Sequence, residues 1–191
     1  MREMMFDLET LDTRPSTIVL SVGAVIWETF QPVAGPLAWR VLRRFYRILD
    51  IQSQATKNRT VSESTLIWWQ RQDANARDEA FSAVRQPVTG VLEDFRRFAD
   101  VEGEINAFWA NPATFDFPIW EDLAMTYSEY VPWSYRQKYD VRTVVREASY
   151  SAKDHQPSRP IDGVPHLPVY DCEWQIDLLN AARVKAGRRI G

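Results

Sequence analysis

Apolar positions along this chain follow two successive rhythms. Over the first fifty residues they run continuously or alternate, as in strands. Met4 to Glu9 (MMFDLE) predicts a short, largely buried strand. After a polar turn through Arg14, Pro15 and Ser16, the β-branched run Thr17 to Trp27 predicts a central strand. Val41 to Leu49 predicts a third strand with an exposed basic face, and Asp50 closes the meander. The period then lengthens. Ser62 to Gln72 opens on a capping signature (Ser62, Glu63, Thr65) and continues as a helix. Val88, Val91, Leu92, Phe95 and Phe98 recur at helical spacing within Val88 to Ala99. Ile105 to Ala110 suits a buried strand, and Phe115 to Tyr127 a helix with Pro118 in its first turn. Asp140 to Thr143 predicts a strand end passing into a helix through Ser149, Ser151 to Pro165 a loop, and Asp171 to Ala186 a closing helix. Strands first, then helices alternating with strands, predict an α/β fold with a mixed β-sheet flanked by helices.

The length of 191 residues and 45% hydrophobic content suit one domain, 1–191, with a sizeable core. No apolar run approaches the roughly 18 residues that cross a bilayer, so no membrane partner is expected. Asp7 and Glu9 stand where a secretory signal would be uncharged, which predicts a cytoplasmic protein. The single cysteine, Cys172, excludes an internal disulfide, and with only two histidines it cannot make a Cys/His zinc site. Any metal therefore falls to carboxylates, which favours Mg2+ or Mn2+. A net charge of −3 gives no global basic field. Arg40, Arg43, Arg44 and Arg47, with Arg183, Lys185, Arg188 and Arg189, are either local phosphate contacts or a solvated basic face.

Asp7 and Glu9 share one face of the first strand, roughly 7 Å apart at the backbone. Two acids on an otherwise apolar strand repel each other and resist desolvation unless a cation neutralises them; an edge position in water is the other explanation. Asp116 opens a helix, where a carboxylate is favoured by the dipole. His166 and Asp171 enter the last helix.

In this order, Asp7-x-Glu9, Asp116 and His166-x4-Asp171 resemble the signature of the DEDD superfamily of 3′–5′ exonucleases, in its histidine subclass. FDLETL followed by IVLSVGAV is similar to the first two strands of RNase T-like exonucleases. STLIWWQRQ, WANPATFD and YDVRT are similar to further blocks of a phage and bacterial branch of that group. The likeness runs from about Met4 to Leu179; Leu167-Pro168 and Tyr170 depart from it beside the histidine. It implies a ribonuclease H-like fold and a metal-dependent exonuclease that removes 5′-mononucleotides from the 3′ end of single-stranded DNA or RNA. It also implies that Asp7, Glu9, Asp116 and Asp171 hold two Mg2+ or Mn2+ ions, with His166 as general base.

His155 fails the spacing, since Pro160 stands five residues beyond it. Thr10 and Leu11 match positions that meet the 3′ nucleotide, with Leu11 either a wedge against the terminal base or a core residue. Trp68, Trp69 and Phe115 are candidate base contacts, although adjacent helical residues diverge by about 100°, which leaves at least one of the tryptophans for the core. The family's frequent dimers and the 8 tryptophans are compatible with a homodimer. Two other readings share the fold: a catalytically idle nucleic-acid- or partner-binding relative, against which the complete set of five residues argues, and a structure-specific endonuclease. The few apolar anchors of the loop before His166 predict that it is mobile without substrate.

Overall fold

Strand β1 (Arg2–Thr10) is an apolar run because it lies at the centre of the sheet, covered on both faces. In the computed structural model, which describes residues 1–33, 35, 37–82, 84–101 and 103–187, it pairs antiparallel with β2 (Val19–Phe30) and parallel with β4 (Ala107–Ala110). β3 (Ala38–Ile48) adds antiparallel to β2, and β5 (Lys138–Asp140) parallel to β4, giving the order β3-β2-β1-β4-β5. The expected meander and mixed sheet are both present.

Alternate positions of β1 feed two cores. Met4, Phe6 and Leu8 pack under α4 (Val88–Val101) and α5 (Ala113–Thr126), with the Phe6 ring edge-on to Phe117 at 5.0 Å. Met5 packs with Val25 and Trp109 under α6 (Val141–Glu147) and α7 (Pro168–Lys185). Asp7 and Glu9 continue the Met5 face and therefore point to the side that α7 covers. No helix among the described residues is long and apolar enough to cross a membrane.

Four local expectations need correction. Helix α5 starts two residues before Phe115, so Pro118 sits inside it rather than in its first turn and removes one helical N–H. Ser62 does precede α2 (Glu63–Trp69), but its hydroxyl meets Ser64 Oγ at 2.6 Å and caps no backbone N–H. Two short helices, α1 (Ile51–Ala55) and α3 (Ala74–Ala80), had too few periodic residues to predict; Asp50 and Asp73 cap them. Three arginines on the basic face of β3 are ion-paired rather than simply solvated. Arg40 pairs with Glu28 at 2.5 Å, Arg44 with Glu173 at 2.5 Å and Arg47 with Asp94 at 3.2 Å. Arg183 likewise forks onto the buried Glu3 at 2.7 and 2.8 Å, and Lys185 donates to the Ser149 carbonyl at 2.5 Å. Arg188 and Arg189 lie outside the described residues.

The loop from Ser151 to Pro165 carries no regular structure, as expected, but polar anchors fasten it to α7 in place of apolar ones. Ser158 N–H donates to Asp177 at 2.8 Å, Arg159 reaches Glu173 at 3.1 Å, and buried His155 lies 3.2 Å from Asp177 Oδ2, off a hydrogen-bonding line. The mobility expected of this loop is therefore not built into its contacts. Asp177 and Glu173 supply the fixings that a hydropathy reading of the loop alone could not reveal.

Candidate active site

The four acids and His166 line one open cavity of about 700 Å3 at the carboxyl ends of the parallel strands. Each arrives by a different route. Asp7 and Glu9 come from the end of β1, and Asp116 from the first turn of α5, just past β4. Its Oδ1 accepts the Leu8 N–H at 3.2 Å, which ties the helix start to β1. Asp171 lies in the first turn of α7 and accepts the His166 N–H at 2.8 Å. That hydrogen bond helps hold His166 at a φ of 69°, a left-handed conformation that costs a non-glycine residue roughly 1–2 kcal/mol. Pro168, the first residue of α7, fits its fixed φ there as expected.

Two tight approaches keep α7 in register. Gly23, opposite Asp7 in the ladder, faces the start of α7; a Cβ there would fall 2.5 Å from the Pro168 carbonyl carbon. Gln175, two turns into α7, donates to Asp7 Oδ1 at 2.9 Å. Gly23→Ala should push α7 away and carry Asp171 and His166 with it. The expected cost is about 1–3 kcal/mol of stability from overpacking, with a larger proportional loss of metal affinity. Urea unfolding and metal titration by calorimetry would measure both, and an unchanged metal affinity would show that Gly23 does not set the site.

The electrostatics follow from crowding like charges in a poorly hydrated place. Burial, then the charges of Asp116 and Asp171, raise the Asp7 carboxyl well above the usual range. Glu9 is raised for the same reason, burial first and then Asp7, Asp171 and Asp116. Burial pushes Asp116 up to about 8 and Asp171 to about 6, although backbone N–H groups act against it at both. A set of acids that resists ionising together fits a site for divalent cations. Glu9, His166 and Asp171 offer ligand atoms all within 4.8 Å of one another. Gln175 Oε1 is buried beside Asp7 with no donor among the described residues, an acceptor free for an ion's water. The donors are chiefly carboxylate oxygens, the chemistry that Mg2+ and Mn2+ favour.

His166 Nδ1 stands 4.0 Å from Glu9 Oε1, and burial lowers the histidine's pKa, which favours the neutral imidazole. Its ring packs edge-on against Trp68 at 4.7 Å. Trp68 is 40% exposed and lines the cavity with Thr10 and Phe115, so these three candidates for substrate contact are in place. Trp69 and Leu11 are not. Trp69 is buried and donates to the Thr10 carbonyl at 2.9 Å, while Leu11 packs with it, Ile18 and Leu20 in a separate small core. The 100° between neighbours on α2 sends one tryptophan to the site and the other inward. Sequence reasoning missed Gly23, Asn111, Arg142, Trp174 and Gln175; only their proximity in three dimensions marks them.

Residues 2–182 match the family described as "3'-5' exoribonuclease Rv2179c-like domain". No curated protein gives a significant sequence match. Among solved structures, the chain resembles E. coli Exonuclease I in complex with a 5cy-dA13 oligonucleotide (TM-score 0.59, 13% identity). It also resembles the zinc-bound form of the E. coli Exonuclease I–single-stranded DNA complex (TM-score 0.54, 14% identity). In both cases 98% of this chain covers 41% of the other, so it spans about two fifths of the length of these neighbours. The shared part is the mixed sheet with its helices, the ribonuclease H-like fold that the sequence resemblance implied.

Proposed function

The chain belongs to the 3′–5′ exoribonuclease family of Rv2179c-like domains, of DEDD type, and from that premise we propose that it shortens single-stranded RNA or DNA from the 3′ end, releasing 5′-mononucleotides. The observation that carries this reading is the convergence of Asp7, Glu9, Asp116, Asp171 and His166 on one open cavity. Asp7, Glu9, Asp116 and Asp171 would hold two divalent ions, Mg2+ or Mn2+. These ions, when bound, supply positive charge to the phosphoryl oxygens and acidify the attacking water.

The chain's own residues do the rest. His166, whose pKa burial lowers, takes the proton from the attacking water. Trp68, on whose flank that ring rests, offers its exposed face to the terminal base. Phe115 and Thr10 border the same space. Gln175 orients the Asp7 carboxylate through the 2.9 Å hydrogen bond.

With Mg2+ or Mn2+, a 5′-labelled single strand should shorten one nucleotide at a time, and a circular strand of the same sequence should persist. Products resolved by length give the readout. Cleavage of the circle would instead indicate an endonuclease. An intact ladder with either ion present, or shortening that persists in EDTA, would overturn the proposal.

A further inference from the structure

Among the described residues lining the cavity, five are carboxylates (Asp7, Glu9, Asp12, Asp116, Asp171) and one is a permanent cation, Arg142. Most other arginines with an ion pair are committed to one carboxylate, as Arg44 is to Glu173, Arg59 to Asp122 and Arg183 to Glu3. Arg142 has no carboxylate within 4.0 Å among the described residues; its electrostatic influence falls on Asp116, whose ionised form it favours.

Its place on the backbone is nonetheless fixed. Asp140, at the end of β5, accepts the Thr143 N–H at 2.6 Å and the Thr143 hydroxyl at 2.8 Å. With its other oxygen Asp140 accepts the Ala113 N–H at 2.7 Å. One carboxylate thus joins the start of α6, which carries Arg142, to the start of α5, which carries Asp116. The exposed Arg142 side chain thus extends to the cavity wall from an anchored backbone.

The direction of that ligand follows from the sheet. Trp68 is carried by α2, whose approach is tied to the β1–β2 connection by Ser62 N–H donating to the Leu11 carbonyl at 2.8 Å and Ile18 N–H to the Thr60 carbonyl at 3.0 Å, and the 3′ nucleotide sits there under the proposed function. Arg142 follows β5, two strands away on the opposite side, roughly 10 Å across the sheet. A single strand that places its last base against Trp68 and its scissile phosphate over the four acids must leave across β4 toward β5. On this basis, and resting on the exonuclease reading above, we propose that Arg142 binds the substrate phosphate one linkage 5′ of the scissile bond. Guanidinium–phosphate contact is bidentate and charge-assisted, and it is made by a group that does not react. It therefore acts on binding: it lowers KM and leaves kcat nearly unchanged.

The test is a chemical cycle on an oligonucleotide in which a neutral methylphosphonate replaces that one linkage. For the native strand, Arg142→Ala should raise KM about 10- to 100-fold with kcat within a few-fold, and Arg142→Lys should recover part of the loss. The neutral linkage should impose a similar penalty on the parent protein and almost none on Arg142→Ala, because the contact is already gone. Moving the methylphosphonate two linkages further upstream should affect both proteins equally. Thermal melts of the variant, whose side chain is exposed, should match the parent. The proposal is overturned if the neutral linkage penalises Arg142→Ala as heavily as the parent, or if the loss falls on kcat alone. Failure of the exonuclease reading looks different: the parent would leave even the unmodified strand intact.

Discussion

Asp7→Asn should reduce exonuclease turnover to the background of the assay while raising the melting temperature of the metal-free protein. Asparagine keeps an acceptor for Gln175 and removes one of four acids that repel each other in a buried site. The pH dependence gives the sign. In the folded state these carboxyls titrate above their unfolded values, Asp171 at about 6 and Asp116 at about 8, so between roughly pH 4 and 8 the folded state binds more protons than the unfolded state. The contribution of these carboxyls to the stability of the metal-free protein must then fall as pH rises through that window, against the smaller opposite trend of His155 and His166, whose pKa values burial lowers. Added Mg2+ or Mn2+ competes with those protons, so its stabilising effect should be largest at the alkaline end. Asp7→Asn should flatten the fall and shrink the metal increment. Melts at pH 5, 6.5 and 8, with and without metal, measure all three effects. A metal-free Asp7→Asn protein that melts lower than the parent would make Asp7 a structural residue.

The second large effect is expected at His166. Loss of a general base costs roughly 10²–10⁴ in rate, so His166→Ala should fall by that much and still be stabilised by metal through the four acids. Taken at its ordinary pKa near 6.5, this histidine would make the rate climb between roughly pH 6 and 8. Burial moves the titration below that value, so the parent's rate should already approach its plateau near pH 7. His155 is not the silent control its failed spacing suggests. It is buried among Tyr150, Trp174 and Asp177, and helps fasten the loop that leads to His166. His155→Gln should lose about 1–3 kcal/mol of stability yet keep the parent's pH profile per folded molecule. If His155→Gln loses the profile, or His166→Ala keeps the parent's rate, the base has been misassigned.

The reach of the sequence differs from residue to residue. Asp7 and Glu9 were legible because strand geometry alone puts positions i and i+2 on one face, whatever the strand packs against. Strands β1 to β4 and helices α2, α4, α5, α6 and α7 were legible because each carries apolar residues in a run or spacing that its backbone can bury. The order of Asp7, Glu9, Asp116, His166 and Asp171 along the chain was enough to suggest a family. Trp68 and Trp69 divide differently. Helical geometry says that they diverge, but only the position of α2 over Thr10 decides which one faces the site. Leu11 remained ambiguous for the same reason, until Ile18, Leu20 and Trp69 enclosed it. Arg40, Arg44 and Arg47 of β3 were part of a basic face in sequence and became ion pairs when Glu28, Glu173 and Asp94 came alongside. Gly23 carried no signal at all, because its role is to have no side chain where Pro168 comes closest. What the sequence determined by itself was whatever depends on local periodicity and on the order of chemical groups. Tertiary structure alone decided which charges are neutralised, which aromatic faces are open and which carboxyls resist ionisation. Those properties depend on what lies across the fold, and a one-dimensional pattern does not contain that distance.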